Sequence, residues 1–353
     1  MSDQPPESKH SLRGGAPERL VLEGATLFGS WLGIPGRANL IEARPYPFPL
    51  PRAVKRLRLK EWQAIQAGDS EWFLMAVLYD AKFTSMASLD VWNRREKRSY
   101  GFRRLFPGSR FSLPESLERG ETSIGSPGDR LSIATDMAAG TLTLEAHSKS
   151  RKAPLDLALR FDLAPGKCFP SSACMPLGLN RAIYSTKILL PCSGTIVAGG
   201  PAHHLDPASA SGILDDHKGY YPYRLHYDWV TGFGVDASGR RIAFNLTDNQ
   251  VRDQAAYNEN RLWIDGRVDA LPPVKITRPN GPGSPWIIQD TEGMVDLVFH
   301  PEAAHQIKVR LGLAEIDYEG PFGRFEGELR AATGEMVDAS PLFGMGEDKH
   351  VRM

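Results

Sequence analysis

Residues 215–263 read DDHKGYYPYRLHYDWVTGFGVDASGRRIAFNLTDNQVRDQAAYNENRLW. This stretch reads as a long β-hairpin followed by a polar loop and a further strand. Asp236-Ala237-Ser238-Gly239 is the turn: an Asp side chain bonds backbone two residues on, and Gly accepts a positive φ. If Val235 and Arg240 close a four-residue loop, His226 faces Asn249, Asp228 faces Thr247 and Val230 faces Asn245. Side chains alternate along a strand, so these mostly polar residues share one face. Tyr227, Trp229, Phe233, Val235, Ile242, Phe244 and Leu246 share the other and read as core. A bulge at the turn would slip the register by one residue and exchange these faces.

Two readings of the polar face stand side by side. Antiparallel sheets often wet one side, which makes it an ordinary solvated surface. Its composition favours a lined cavity instead. Solvent faces carry Lys, Arg and Glu, whereas His, Asp, Asn and Thr are the short groups that place polar atoms in a pocket.

Outward from this hairpin the chain is a series of strand candidates bounded by Gly, Pro, Asp and Asn. On the N-terminal side, alternation starts at Arg56 and runs through Trp62. Segments 71–80 and 83–95 pair about Ala81-Lys82, 97–105 gives a third strand, and 130–136 and 141–147 flank a tight turn before 155–163. Residues 164–180, rich in Pro, Gly and Ser, read as a connection or a loop over a pocket. On the C-terminal side short strands recur to the end of the chain, and 247–259 is a turn region with one or two helical turns at most. Strands at this spacing predict an all-β fold with little helix, two tandem antiparallel β-barrel or sandwich domains. The expected division is a mobile lead over 1–18, an N-terminal β domain over 19–165, a connection over 166–180 and a C-terminal β domain over 181–353 that carries the site.

The chain has 353 residues, with 42 basic side chains against 42 acidic ones. That balance gives no bulk attraction to nucleic acid or anionic membranes. Cys168, Cys174 and Cys192 are an odd set without a CxxC pair, which fits a reducing compartment. No signal-peptide core and no apolar run long enough to cross a bilayer is present, so a soluble, cytoplasmic protein with no integral membrane segment is expected. The sequence assigns no oligomeric state.

The chemistry-bearing candidates follow from side-chain type and spacing. Asp216 and His217 are a carboxylate beside an imidazole, a proton donor–acceptor pair if a turn or bulge lets them converge. His226 and Asp228, two apart, share a strand face. Tyr221, Tyr227 and Trp229 offer aromatic walls. Asn245, Thr247, Asn249, Asp253 and Glu259 offer groups that orient hydroxyls or water. The indoles in strand-like segments are more often core than ligand contacts. No HExxH or HxH motif, dinucleotide-binding pattern, P-loop or GxSxG elbow occurs, so no metal and no cofactor is expected.

DHKGYYPYRLHYDWVTG, NLTDNQVRDQ and YNENRLW, with KEWQ at 60–63, resemble the domain-of-unknown-function family numbered 2804, over most of the chain from about Leu40. More distantly the layout is similar to the carotenoid hydratase and attH-like group, tandem lipocalin-like barrels of the calycin type. Asp216 and His217 match the first two positions of that group's Asp-His-x-Trp-Gly strand. Gly219 stands where the Trp would be. The resemblance implies hydration, cyclisation or isomerisation of an apolar, isoprenoid-like small molecule. A carboxylic acid such as Asp216 or Asp228 would protonate an alkene, and Tyr221, Tyr227 and Trp229 would stabilise the cation. A non-catalytic carrier of a lipid or other hydrophobe is the alternative. A carbohydrate-active enzyme is a weaker one, and it requires an open groove with two carboxylates about 5–10 Å apart.

Overall fold

The computed structural model describes residues 12–149, 154–303, 305–311 and 314–352. The chain forms two curled antiparallel half-barrel sheets. The first runs Arg98–Pro107, Thr84–Asn93, Trp72–Asp80, Lys60–Gly68, Ser211–Gly219, Ala182–Ala198, Leu155–Asp162, Thr141–Ser148, Asp129–Asp136 and Arg119–Ser126 in spatial order. Ala182–Ala198, 17 residues long, is its spine: one half pairs with Phe169–Pro176 and Ser211–Gly219, the other with Leu155–Asp162 and His203–Leu205. The second sheet is centred on Arg224–Val235, flanked by Arg241–Asp248 and Phe343–Arg352.

Each sheet has its own apolar interior, built around Leu74, Leu89, Leu144 and Phe161 in the first and Val230, Phe244, Trp286 and Phe325 in the second. A third cluster joins them back to back: Phe73 meets Phe233, Phe322 and Phe343 at ring separations of 5.7, 4.8 and 5.3 Å. Strands at this junction are therefore buried on both faces. Leu74, Ala76 and Leu78 turn into the first interior while Phe73 and Met75 turn toward the second sheet.

Four expectations need correction. The alternation from Arg56 is not all strand, since Arg52–Arg58 is a helix entered at Pro51 and the strand begins at Lys60. The segment 166–180 is not an unstructured connection, because Phe169–Pro176 is a strand of the first sheet. The division near 180 fails with it: Ala182–Ala198 and Ser211–Gly219 also belong to the first sheet, and the second begins at Arg224. The hairpin register is one residue off. Val235 pairs with Arg241, Asp228 with Asp248 and Trp229 with Thr247. The Asp236 carboxylate accepts the backbone N–H of both Ser238 and Arg240, and Gly239 takes φ 86°, so residues 236–240 form a five-residue loop, one longer than expected. Between 249 and 259 no helix forms beyond a single turn, in which the Asp253 carbonyl accepts from the Ala256 and Tyr257 N–H groups.

Of the expected mobile lead, residues 1–11 lie outside the described residues. Arg13 and Arg19 bridge to Trp31 and Arg37. The three cysteines are free. Among the described residues no helix is long and apolar enough to cross a membrane.

Candidate functional site

Strand register brings the site together at the junction of the sheets. In the first sheet Lys187 lies opposite Asp215, Ser185 opposite His217, and His217 opposite Trp62 on the far side. In the second, Lys349 lies between Tyr227 and Tyr318 on neighbouring strands, and Trp229 faces Glu347. Apart from Ser185, these side chains line a cavity of about 210 Å³ whose wall also includes Met75, Val77, Ile183 and Leu225. Its walls are mainly apolar, with charged groups gathered about Lys187, about Lys349 and about Asp90, Arg103 and His305.

The first group is an ion cluster about Lys187. Its ammonium donates to Asp215 Oδ1 at 2.8 Å and Ser185 Oγ at 3.1 Å, and lies 3.2 Å from Glu259 Oε2. Thr247 donates to Glu259 Oε1 at 3.2 Å, and Trp62 Nε1 approaches Asp215 Oδ2 at 3.4 Å. Burial opposes charge on Glu259, but Lys187 and His217 outweigh it and bring the carboxyl down to about 2. Burial likewise opposes the Lys187 charge, and Asp215 and Glu259 overcome it, so the ammonium is held above its ordinary range. The cluster is a closed unit of one cation and two anions.

The second group is Lys349 in an aromatic box. Its ammonium donates to Tyr227 OH at 3.0 Å and lies 5.5, 6.0, 5.2 and 5.7 Å from the ring centres of Trp62, Tyr79, Tyr227 and Tyr318. Glu347 accepts from Tyr318 OH at 2.7 Å. Burial lowers the Lys349 pKa despite Glu347 and Asp215, and burial raises those of Tyr227 and Tyr318 well above their ordinary value.

His217 stands between the groups, stacked on Trp62 with ring centres 4.0 Å apart. Burial pushes its pKa down to about 4, although Asp215 and Glu259 pull the other way, so the imidazole is neutral at pH 7. Its Nε2 and the Tyr221 hydroxyl are buried and have no hydrogen-bond partner among the described residues. Buried polar atoms without partners are rare, and here both belong to the wall of one cavity.

Of the residues expected from sequence, His217, Tyr221, Tyr227, Trp229, Thr247, Asn249 and Glu259 line this cavity. Asn245 supports it from behind, accepting from Trp229 Nε1 at 2.5 Å and donating to the Glu259 carbonyl at 2.8 Å. Asp216 does not join His217. With no bulge between them the two alternate, and Asp216 lies on the Gln63 and Lys218 side, where burial raises its pKa to about 6. His226 and Asp228 also leave the cavity, because the register slip gives its wall to Tyr227 and Trp229. Asp228 pairs with Arg278 at 2.7 Å instead. Asp253 is an exposed turn residue whose carboxylate accepts the Ala256 N–H. Lys187, Asp215, Trp62, Lys349 and Glu347 were not singled out from sequence. Lys187 carried a signal, a lone charge inside the apolar run AIYSTKILLP (182–191). Lys349 carried none without the register.

Residues 42–353 match the family described as domain of unknown function (DUF2804). The chain belongs to this family. No curated protein matches the sequence. Among solved structures, the chain is similar to kievitone hydratase from Nectria haematococca, at 11% identity and a TM-score of 0.45 over 83% of this chain and 88% of that one. It is also similar to CghA, at 11% identity and a TM-score of 0.37 over 84% of this chain and 88% of that one.

Proposed function

We propose that this member of the family binds a compact hydrophobic small molecule between its two sheets and transforms it by proton transfer, in a hydration, cyclisation or isomerisation. The observation that carries the reading is the pair of unpartnered polar atoms, His217 Nε2 and Tyr221 OH, on residues of a mainly apolar cavity wall whose charged groups otherwise have partners. A ligand with polar atoms in reach of these two groups satisfies them and buries its remainder against Met75, Val77 and Leu225. The volume of about 210 Å³ lies below the roughly 300–1,000 Å³ usual for ligand pockets, which favours a small guest.

The residues differ from those a carboxylic-acid mechanism names. Neither Asp216 nor Asp228 lines the cavity, and Glu259 stays ionised. His217, neutral at pH 7, is the base. Lys349, with its pKa lowered by burial, is the acid, and both flank Trp62, the ammonium 5.5 Å from its ring centre. The surrounding rings stabilise positive charge developing on the guest.

A specific observation also favours a non-catalytic carrier: Asp215 and Glu259 are both held by Lys187, so the ion cluster serves structure without any chemistry. The same pairing weighs against glycoside hydrolysis, which needs its carboxylates free on either side of a sugar. Substitution separates enzyme from carrier. Once a guest is identified, His217→Gln retains binding and abolishes turnover in an enzyme. Turnover unchanged in His217→Gln rules out the proton-transfer role.

A further inference from the structure

His226 and Asp228, which the cavity does not use, meet a matching pair on the neighbouring strand. Arg224–Val235 and Phe343–Arg352 run antiparallel with His226 opposite His350 and Asp228 opposite Asp348. The two imidazoles are stacked, ring centres 4.0 Å apart and planes within 10°. Asp348 Oδ1 lies 3.1 Å from His350 Nε2 and 3.8 Å from His226 Nε2, and Asp228 Oδ1 lies 3.5 Å from His226 Nε2. One donor atom from each of His226, Asp348 and His350 falls within 4.8 Å of the other two.

Hydrogen bonding does not account for this convergence. His226 Nε2 and Asp348 Oδ1 are buried atoms without a hydrogen-bond partner among the described residues. Arg278 takes Asp228 Oδ1 at 2.7 Å and Asp348 Oδ2 at 3.3 Å, which fixes both carboxylates and leaves Asp348 Oδ1 turned toward the imidazoles. One guanidinium against two carboxylates also leaves the spot anionic when the imidazoles are neutral.

We propose that His226, His350 and Asp348 form a binding site for a divalent transition ion of the zinc class, with Asp228 and Arg278 orienting the carboxylate. Imidazole nitrogens and a carboxylate oxygen are the donors such ions take. With zinc–ligand bonds near 2.0–2.1 Å, a tetrahedral ion spaces its donors about 3.3 Å apart. The observed 3.1 and 3.8 Å separations bracket that spacing, and the two rings would turn out of their parallel stack to aim each nitrogen lone pair at the ion. An outer guanidinium holding the second carboxylate oxygen is the supporting contact such ligands need. The ion would clip the two strands together directly behind Tyr227 and Lys349, which lie opposite each other on the cavity face.

The test uses the full chain stripped with a chelator and titrated with zinc chloride by calorimetry at neutral pH. One ion per chain is expected, with affinity falling about tenfold or more in His226→Ala and in His350→Ala. Both side chains are about half exposed, so the variants should fold. Zinc should raise the melting temperature of the wild type and not of either variant. Cobalt should give a visible tetrahedral band that both variants lose. His203→Ala and His204→Ala, in the other close histidine pair, should keep all three signals. No zinc binding in the wild type, unchanged affinity in His226→Ala and His350→Ala, or loss that follows His203 or His204 would each overturn the site.

Discussion

His217 lies face to face on Trp62, ring centres 4.0 Å apart and planes within 13°, while its neighbour Asp216 faces the interior of the first sheet. The two titrate in opposite directions for one reason: burial disfavours whichever form carries charge. The imidazole goes down to about 4 and the carboxyl up to about 6.

For His217 the unfolded chain binds the proton first as pH falls. Its contribution is complete above about pH 6.5 and is lost toward pH 4, by about 3 kcal/mol. In His217→Phe that loss should vanish, so the stability of the variant relative to the wild type should rise by about 3 kcal/mol between pH 7 and pH 4. Urea unfolding midpoints across this window check it.

Asp216 works the other way. The folded chain holds the proton to about pH 6 whereas the unfolded chain releases it near 3.8, so above pH 6 the buried carboxylate costs about 3 kcal/mol. Asp216→Asn should raise the urea midpoint at pH 7.5 and leave it nearly unchanged below pH 4. A lower midpoint at pH 7.5 would mean that the ionised carboxylate is required by its neighbours.

The hairpin itself was legible, because Asp236 and Gly239 announce a turn between alternating strands. Its register was not. The second backbone bond to Asp236, from Arg240, adds a residue to the loop, and a one-residue slip moves every side chain to the other face. That slip took His226 and Asp228 out of the expected cavity and put Trp229 beside Thr247. Period-two patterning also assumes one wet face, which fails at the junction, where Phe73 and Leu74 point opposite ways and are both buried. Lys349 sits among aromatic rings from four strands, in three separate stretches of the sequence, a relationship only the fold creates.

Removing the cation of the Lys187 cluster should be severe. Lys187→Met leaves Asp215 and Glu259 buried without their ammonium, a loss of about 3–5 kcal/mol. Adding Glu259→Gln should recover part of it. A double-mutant cycle by chemical denaturation gives the coupling, and strict additivity would contradict a shared ion cluster.

Trp229→Phe keeps a ring on the cavity wall but strips the donor from Asn245 Oδ1, 2.5 Å away. A loss of about 1–3 kcal/mol is expected for the orphaned acceptor. Trp229→Ala adds a void, for about 3–5 kcal/mol in total. Thermal melts of the two variants check the order.

The most direct test of the central claim is solvent extraction and mass spectrometry of the freshly purified protein beside Val77→Trp, which fills the cavity without replacing Lys187, His217 or Lys349. The expected result is a hydrophobic small molecule near one per chain in the wild type and its absence from a folded Val77→Trp. The same molecule at the same ratio in both proteins would place binding elsewhere and contradict the cavity as the functional site.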